Sequence, residues 1–108
     1  MNKVLAFICM CAFSGYAFAA EVVGIITEHS GRGAQGAAVT VTCGEFEQTA
    51  ITAISGQYRV KDVPEGSDCA LTITYKGASS EPEAFTMTSE RMTFSRRVRQ
   101  YQGRLEIF

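Results

Sequence analysis

The chain has 108 residues, 19% of them charged, with a formal net charge of −1. That length holds one domain, and so even a balance argues against the broad basic face of a bulk nucleic-acid binder. Tryptophan is absent and only two prolines occur, with no low-complexity tract.

The first element in chain order is a leader. Lys3 is the only charge before Glu21, an apolar run covers Val4 to Phe13, and Ala17-Phe18-Ala19 follows the more polar Ser14-Gly15-Tyr16. A positive start, an apolar centre and a small-x-small site compose a secretory signal peptide. The apolar run is half the ~20 residues that span a bilayer, so it does not read as an anchor. Residues 1–19 are expected to be removed, leaving 20–108 as the domain, exported to the periplasm or secreted. Without Lys3, nine basic residues face eleven acidic ones. No transmembrane segment is expected in the mature chain.

Beyond the leader the apolar residues recur with period two, the signature of half-buried strands. Val22–Thr27 is the first and most uniformly apolar, predicted to be buried deepest. Ala37–Cys43 places Val39, Val41 and Cys43 on one face, with threonines opposite. Shorter strands fit Glu47–Thr52 and Tyr58–Val60, with Tyr58 turned inward. Cys69–Tyr75 puts Cys69, Leu71, Ile73 and Tyr75 on one face, and Ala84–Thr88 and Met92–Val98 complete the set. Between them stand turn signals at Ser30-Gly31-Arg32-Gly33, Ser55-Gly56, Pro64-Glu65-Gly66, Lys76-Gly77 and Ser89-Glu90. Gly31 and Gly33 are expected at positive φ, as is Gly56. Seven short strands with frequent turns predict an all-β fold, a β-sandwich.

Cys9 and Cys11 lie in the leader, which leaves Cys43 and Cys69. Two cysteines in a small exported domain predict one disulfide. One ends an inward-facing strand and the other begins one, so antiparallel pairing sets them opposite each other.

The segment Ile26–Val41, with Glu28, Gly31 and Gly36-Ala37-Ala38-Val39-Thr40-Val41, resembles the opening of carboxypeptidase regulatory-like domains. Thr52-Ala53-Ile54-Ser55-Gly56-Gln57-Tyr58-Arg59-Val60 is similar to their Thr-Asp-x-x-Gly-x-Tyr-x-Phe signature. Val63-Pro64-Glu65-Gly66, ahead of Leu71 and Ile73, is similar to their Leu-Pro-x-Gly turn. The likeness runs over Glu21–Val98 and implies a seven-stranded Greek-key, transthyretin-like sandwich. Departures are Gly33 for proline, Ala34 for leucine and Ala53 for aspartate.

Catalytic machinery is not expected. An enzyme resembling the hydroxyisourate hydrolases would need several histidines, and His29 is alone, in a turn. No serine has a histidine and an acid in a nucleophile motif. The lysine–asparagine crosslink of related surface domains has no asparagine beyond Asn2. Glu45 and Glu47 read as a solvated edge. Asp62, Glu65 and Asp68 crowd one turn but are interrupted by a lysine and small residues, so no metal and no cofactor are expected.

Charge is divided unevenly along the chain. Arg91–Phe108 holds Arg91, Arg96, Arg97, Arg99 and Arg104 against Glu106 alone, whereas Ala20–Glu90 holds four basic and ten acidic residues. Arg97, Arg99 and Tyr101 alternate onto one face of the last strand. They are either the charged guard of a sheet edge or a patch for an anionic partner. Met92, Phe94 and Val98 face the other way, with Arg96 the single interruption. The resulting expectation is a non-enzymatic exported module for an envelope protein or polysaccharide, or else a structural component docking through a strand edge. The protein recovered outside the cytoplasm should begin at Ala20 by mass spectrometry; one retaining Met1–Ala19 would contradict the leader.

Overall fold

A computed structural model describes residues 19–107, so the leader expected over residues 1–19 lies almost wholly outside the described residues. The described chain is all-β: β1 (Ala19–Glu28), β2 (Ala38–Cys43), β3 (Phe46–Ile51), β4 (Gln57–Pro64), β5 (Asp68–Tyr75), β6 (Ala78–Ser79), β7 (Glu83–Thr86), β8 (Arg91–Thr93), β9 (Arg96–Tyr101) and β10 (Arg104–Ile107). Two five-stranded sheets result. In the first, the order is β10-β9-β1-β4, with β8 also pairing β1; in the second it is β3-β2-β5-β6, with β7 also pairing β5. Val22, Ile26, Val60 and Val98 from the first sheet and Val39, Val41, Leu71 and Ile73 from the second belong to one buried cluster, as in a β-sandwich.

The alternation predicted for β2 and β5 is present. Val39, Val41 and Cys43 are buried, as are Cys69, Leu71, Ile73 and Tyr75. The antiparallel register runs from Ala38↔Thr74 to Thr42↔Ala70, and Cys43 and Cys69 are bonded one step further on, Cα–Cα 4.2 Å. Closing this loop removes about 3.5 kcal/mol of unfolded-state entropy by the chain-entropy model.

Ten strands stand where seven were expected. The segment Met92–Val98 is divided, because Tyr58 Oη donates to the Phe94 carbonyl at 2.6 Å and turns it off the ladder. Ser95 Oγ then accepts from Ile25 N–H at 3.1 Å, substituting for a backbone acceptor. Gly24 makes this possible, since a Cβ there would stand 1.9 Å from the Phe94 oxygen. Two-residue turns, Lys76-Gly77 and Gln102-Gly103, create the short strands β6 and β10; all four residues have positive φ. β1 is central but covered on one face only, with Ile25 40% exposed on the other. Gly33 is not at positive φ. It is required by close approach, a Cβ there meeting the Ser55 carbonyl carbon at 2.4 Å.

The one buried threonine ties the β1–β2 connection to the end of β3. Thr52 Oγ1 donates to the Ala34 carbonyl at 2.5 Å and accepts from Ala37 N–H at 2.8 Å. Thr52→Val keeps the shape but strands both backbone groups, which is expected to cost about 1–3 kcal/mol in urea denaturation. An unchanged midpoint would contradict this role.

Candidate functional site

The outward face of the first sheet gathers arginines from four strands. Val22 and Ile26 point into the core, so Glu21, Val23, Ile25 and Thr27 point out. Register then fixes their neighbours: Arg59 beside Val23, Arg91 beside Glu21, and Arg97 beside Thr27. On β9 and β10, Arg99 is paired with Glu106 and Tyr101 with Arg104, on the same face. Arg97, Arg99 and Tyr101 thus share one exposed face, as expected from their spacing.

Two glutamates only partly offset these charges. Glu21 Oε1 lies 3.2 Å from Arg59 Nε, and its Oε2 accepts from Arg91 at 2.5 and 2.6 Å. Glu106 holds Arg99 at 2.9 Å and lies 4.0 Å from Arg104. Arg99 also stands 5.7 Å from the Tyr101 ring centre. Arg97 is exposed and has no ion pair among the described residues. Where β8 gives way to β9, shallow hollows open on both sides of Ile25. One is lined by Arg59, Arg91 and Ser95, and the other by Thr27, Ser95 and Arg97. An apolar strip flanked by planar, always-charged guanidinium groups suits carboxylates or phosphates carried on an extended chain.

β9 is not an edge, since it lies between β1 and β10. The hairpin to β10, unseen in the sequence, pairs with β9 from Val98 to Tyr101, while β1 pairs with it from Arg96 to Val98. Arg59 and Glu21 were also missed as members of this face. The alternation Tyr58-Arg59-Val60 shows that Arg59 points outward, but its neighbours depend on long-range pairing.

Arg96 leaves the outer face altogether. Its guanidinium packs 5.3 Å from the Phe94 ring centre and reaches Glu83 on β7, in the other sheet. Nε donates to Glu83 Oε1 at 3.0 Å and Nη2 to Oε2, a two-bonded clasp between sheets. These bonds hold the Glu83 carboxyl below its ordinary value and raise that of Arg96. Phe94 is half-buried on the inward side, its ring 4.8 Å from that of Phe85. A second clasp joins Tyr75 Oη to Glu28 Oε2 at 2.5 Å. That bond lowers Glu28 and raises Tyr75. Burial raises the Tyr58 hydroxyl.

The remaining candidates are dispersed. His29 is exposed in the β1–β2 connection, and Glu45 and Glu47 are exposed at the β2–β3 hairpin. Asp62 is exposed at φ 62°, and Asp68 accepts from Thr86 Oγ1 at 3.0 Å. Among the described residues, no three His, Cys, Asp or Glu side chains are grouped to hold a metal ion. No helix is long and apolar enough to cross a membrane among the described residues.

No family model and no curated protein matches the chain. Among solved structures it is similar to the Bacillus anthracis TIE protein, with TM-score 0.55 and 11% identity over 77% of this chain. The match spans 17% of that protein's chain and is a likeness of fold alone.

The Glu83–Arg96 clasp has a pH consequence. A carboxyl depressed in the folded state contributes stability above its unfolded value, near 4.5, and loses that contribution as pH falls through the folded one. Glu83→Gln should cost about 1 kcal/mol at neutral pH, since the pair is partly solvated. In thermal unfolding from pH 7 to 3, the gap between variant and parent should close on the acid side. A constant gap would show that Glu83 acts by packing.

Proposed function

We propose that this chain is an exported, non-enzymatic β-sandwich module that binds an anionic protein or polysaccharide of the cell envelope through the outward face of its first sheet. The observation that carries the reading is Arg97, exposed and without an ion pair among the described residues, lining one hollow with Ile25 on a face that also holds Arg59, Arg91, Arg99 and Arg104. The leader pattern and the Cys43–Cys69 bond support export to the periplasm or beyond. The lone His29 on an exposed turn supports a binding rather than a catalytic role. The three motifs in register support membership of the carboxypeptidase regulatory-like domains with their Greek-key, transthyretin-like topology; β8, β9 and the β10 hairpin would then elaborate the last strand.

Arginine on this face contributes little to stability, because exposed charges in water interact weakly. Arg97→Ala and the double variant Arg91→Ala, Arg97→Ala should therefore unfold within a few degrees of the parent. On immobilised polyuronate the parent should be retained and released by moderate salt, while the double variant elutes earlier. Single-stranded DNA on a second column separates carboxylate recognition from attraction to any polyanion. Equal elution of parent and double variant would overturn the assignment of this face.

A further inference from the structure

The second sheet has one long edge, β3, whose only charge is Glu47. β4 ends its edge with charged Arg59 and Lys61, the positive-φ Asp62 and Pro64, and β6, β7 and β10 are short. Such devices keep sheet edges from pairing with other chains. β3, Phe46-Glu47-Gln48-Thr49-Ala50-Ile51, pairs only with β2. It has no proline, lysine or bulge, and it ends at Ile51, 63% exposed.

The register shows which backbone groups face outward. Cys43 and Phe46 flank the two-residue turn Gly44–Glu45 and close it as a hydrogen-bonded pair. The Cys43–Cys69 Cα separation of 4.2 Å is that of a pair without such bonds, so the Cys43 peptide groups do face β3. Alternation makes Val41↔Gln48 and Val39↔Ala50 the other bonded pairs. The N–H and C=O groups of Glu47, Thr49 and Ile51 therefore point away from β2 into solvent.

We propose that this edge pairs antiparallel with β3 of a second copy of the chain, joining two second sheets into one continuous sheet. A two-fold axis normal to the sheet keeps both inner faces on one side, so only residues of like orientation can oppose. Centring it on Thr49 sets Thr49 against Thr49 and Glu47 against Ile51 of the second copy. Every outward peptide group then finds a partner, and Ile51 is covered by the Glu47 methylenes. Centring it on Glu47 would oppose two carboxylates and leave Ile51 bare. The chosen register also extends an existing row: Thr49 is bonded to Thr40 at 2.9 Å, and Thr40 is paired with Thr72. This surface lies on the opposite sheet from the arginine face, and the two stand or fall separately.

Sedimentation velocity over a concentration series, on the oxidised protein from an exporting host, tests the pairing. The parent should sediment as a dimer. Thr49→Pro removes an N–H that β2 does not use, so it should retain the parent circular dichroism and sediment as a monomer. Thr49→Lys, which keeps every backbone group, should do the same and decides the matter if the proline variant misfolds. Thr49→Cys should form a disulfide-linked dimer on a non-reducing gel, while Thr42→Cys, on an inner strand, should not. A parent that stays monomeric at the highest attainable concentration, or a dimer that Thr49→Lys leaves intact, would overturn the proposal.

Discussion

The pairing of β2 with β5, locked at one end by Cys43–Cys69, is the constraint on which the rest of the molecule depends. So small a domain buries limited apolar surface, and a cross-link worth about 3.5 kcal/mol in the unfolded ensemble is a large share of typical stability. The bond also fixes register. A slip of one residue would turn either Val39 and Val41 or Leu71 and Ile73 from the core to solvent. With that register set, the orientation of each residue on β3 follows, and the threonines of β2 and β5 are held on the outer face.

The two sheets are then joined around their shared core by polar clasps as well as apolar contact. Tyr75 reaches Glu28 and Arg96 reaches Glu83, each across the space between sheets. Tyr58 fastens the Phe94 carbonyl within the first sheet. Among the described residues no buried side-chain nitrogen or oxygen lacks a partner. Arg96 can interrupt an apolar stripe because its charge is paired with Glu83 at the margin of the core rather than inside it. It also separates Arg96 from Arg97. Neighbours in sequence, one is a structural clasp and the other a cation on the outer face with no ion pair among the described residues.

Much of the fold was legible because its strands alternate strongly. β2 and β5 announced their inward residues, the cysteines fell on those faces, and every segment read as a strand contains one. The divided strand was not legible, because its cause is a tyrosine hydroxyl thirty-six residues away diverting one carbonyl. β10 was missed because its turn places Gln102 at positive φ, a conformation that residue type does not advertise, and β6, beyond the recognised turn at Lys76-Gly77, is only two residues long and has no alternation to show. Of the candidate face, spacing alone brought Arg97, Arg99 and Tyr101 together. Arg59 and Arg91 joined them only once β1 was placed between β4 and β8, a matter of sheet order that periodicity does not encode.

The outcome is a domain whose outer faces differ in chemistry: guanidinium groups around an apolar strip on one sheet, hydroxyl-bearing threonines on the other. Nuclear magnetic resonance titration of the ¹⁵N-labelled oxidised protein with a short oligouronate tests this division most directly. Saturable amide shifts should cluster at Val23, Ile25, Thr27, Ser95 and Arg97 and weaken with added salt, while Thr40, Thr72 and Thr74 stay fixed. Shifts centred on the threonine face, or none on the arginine face, would contradict the account.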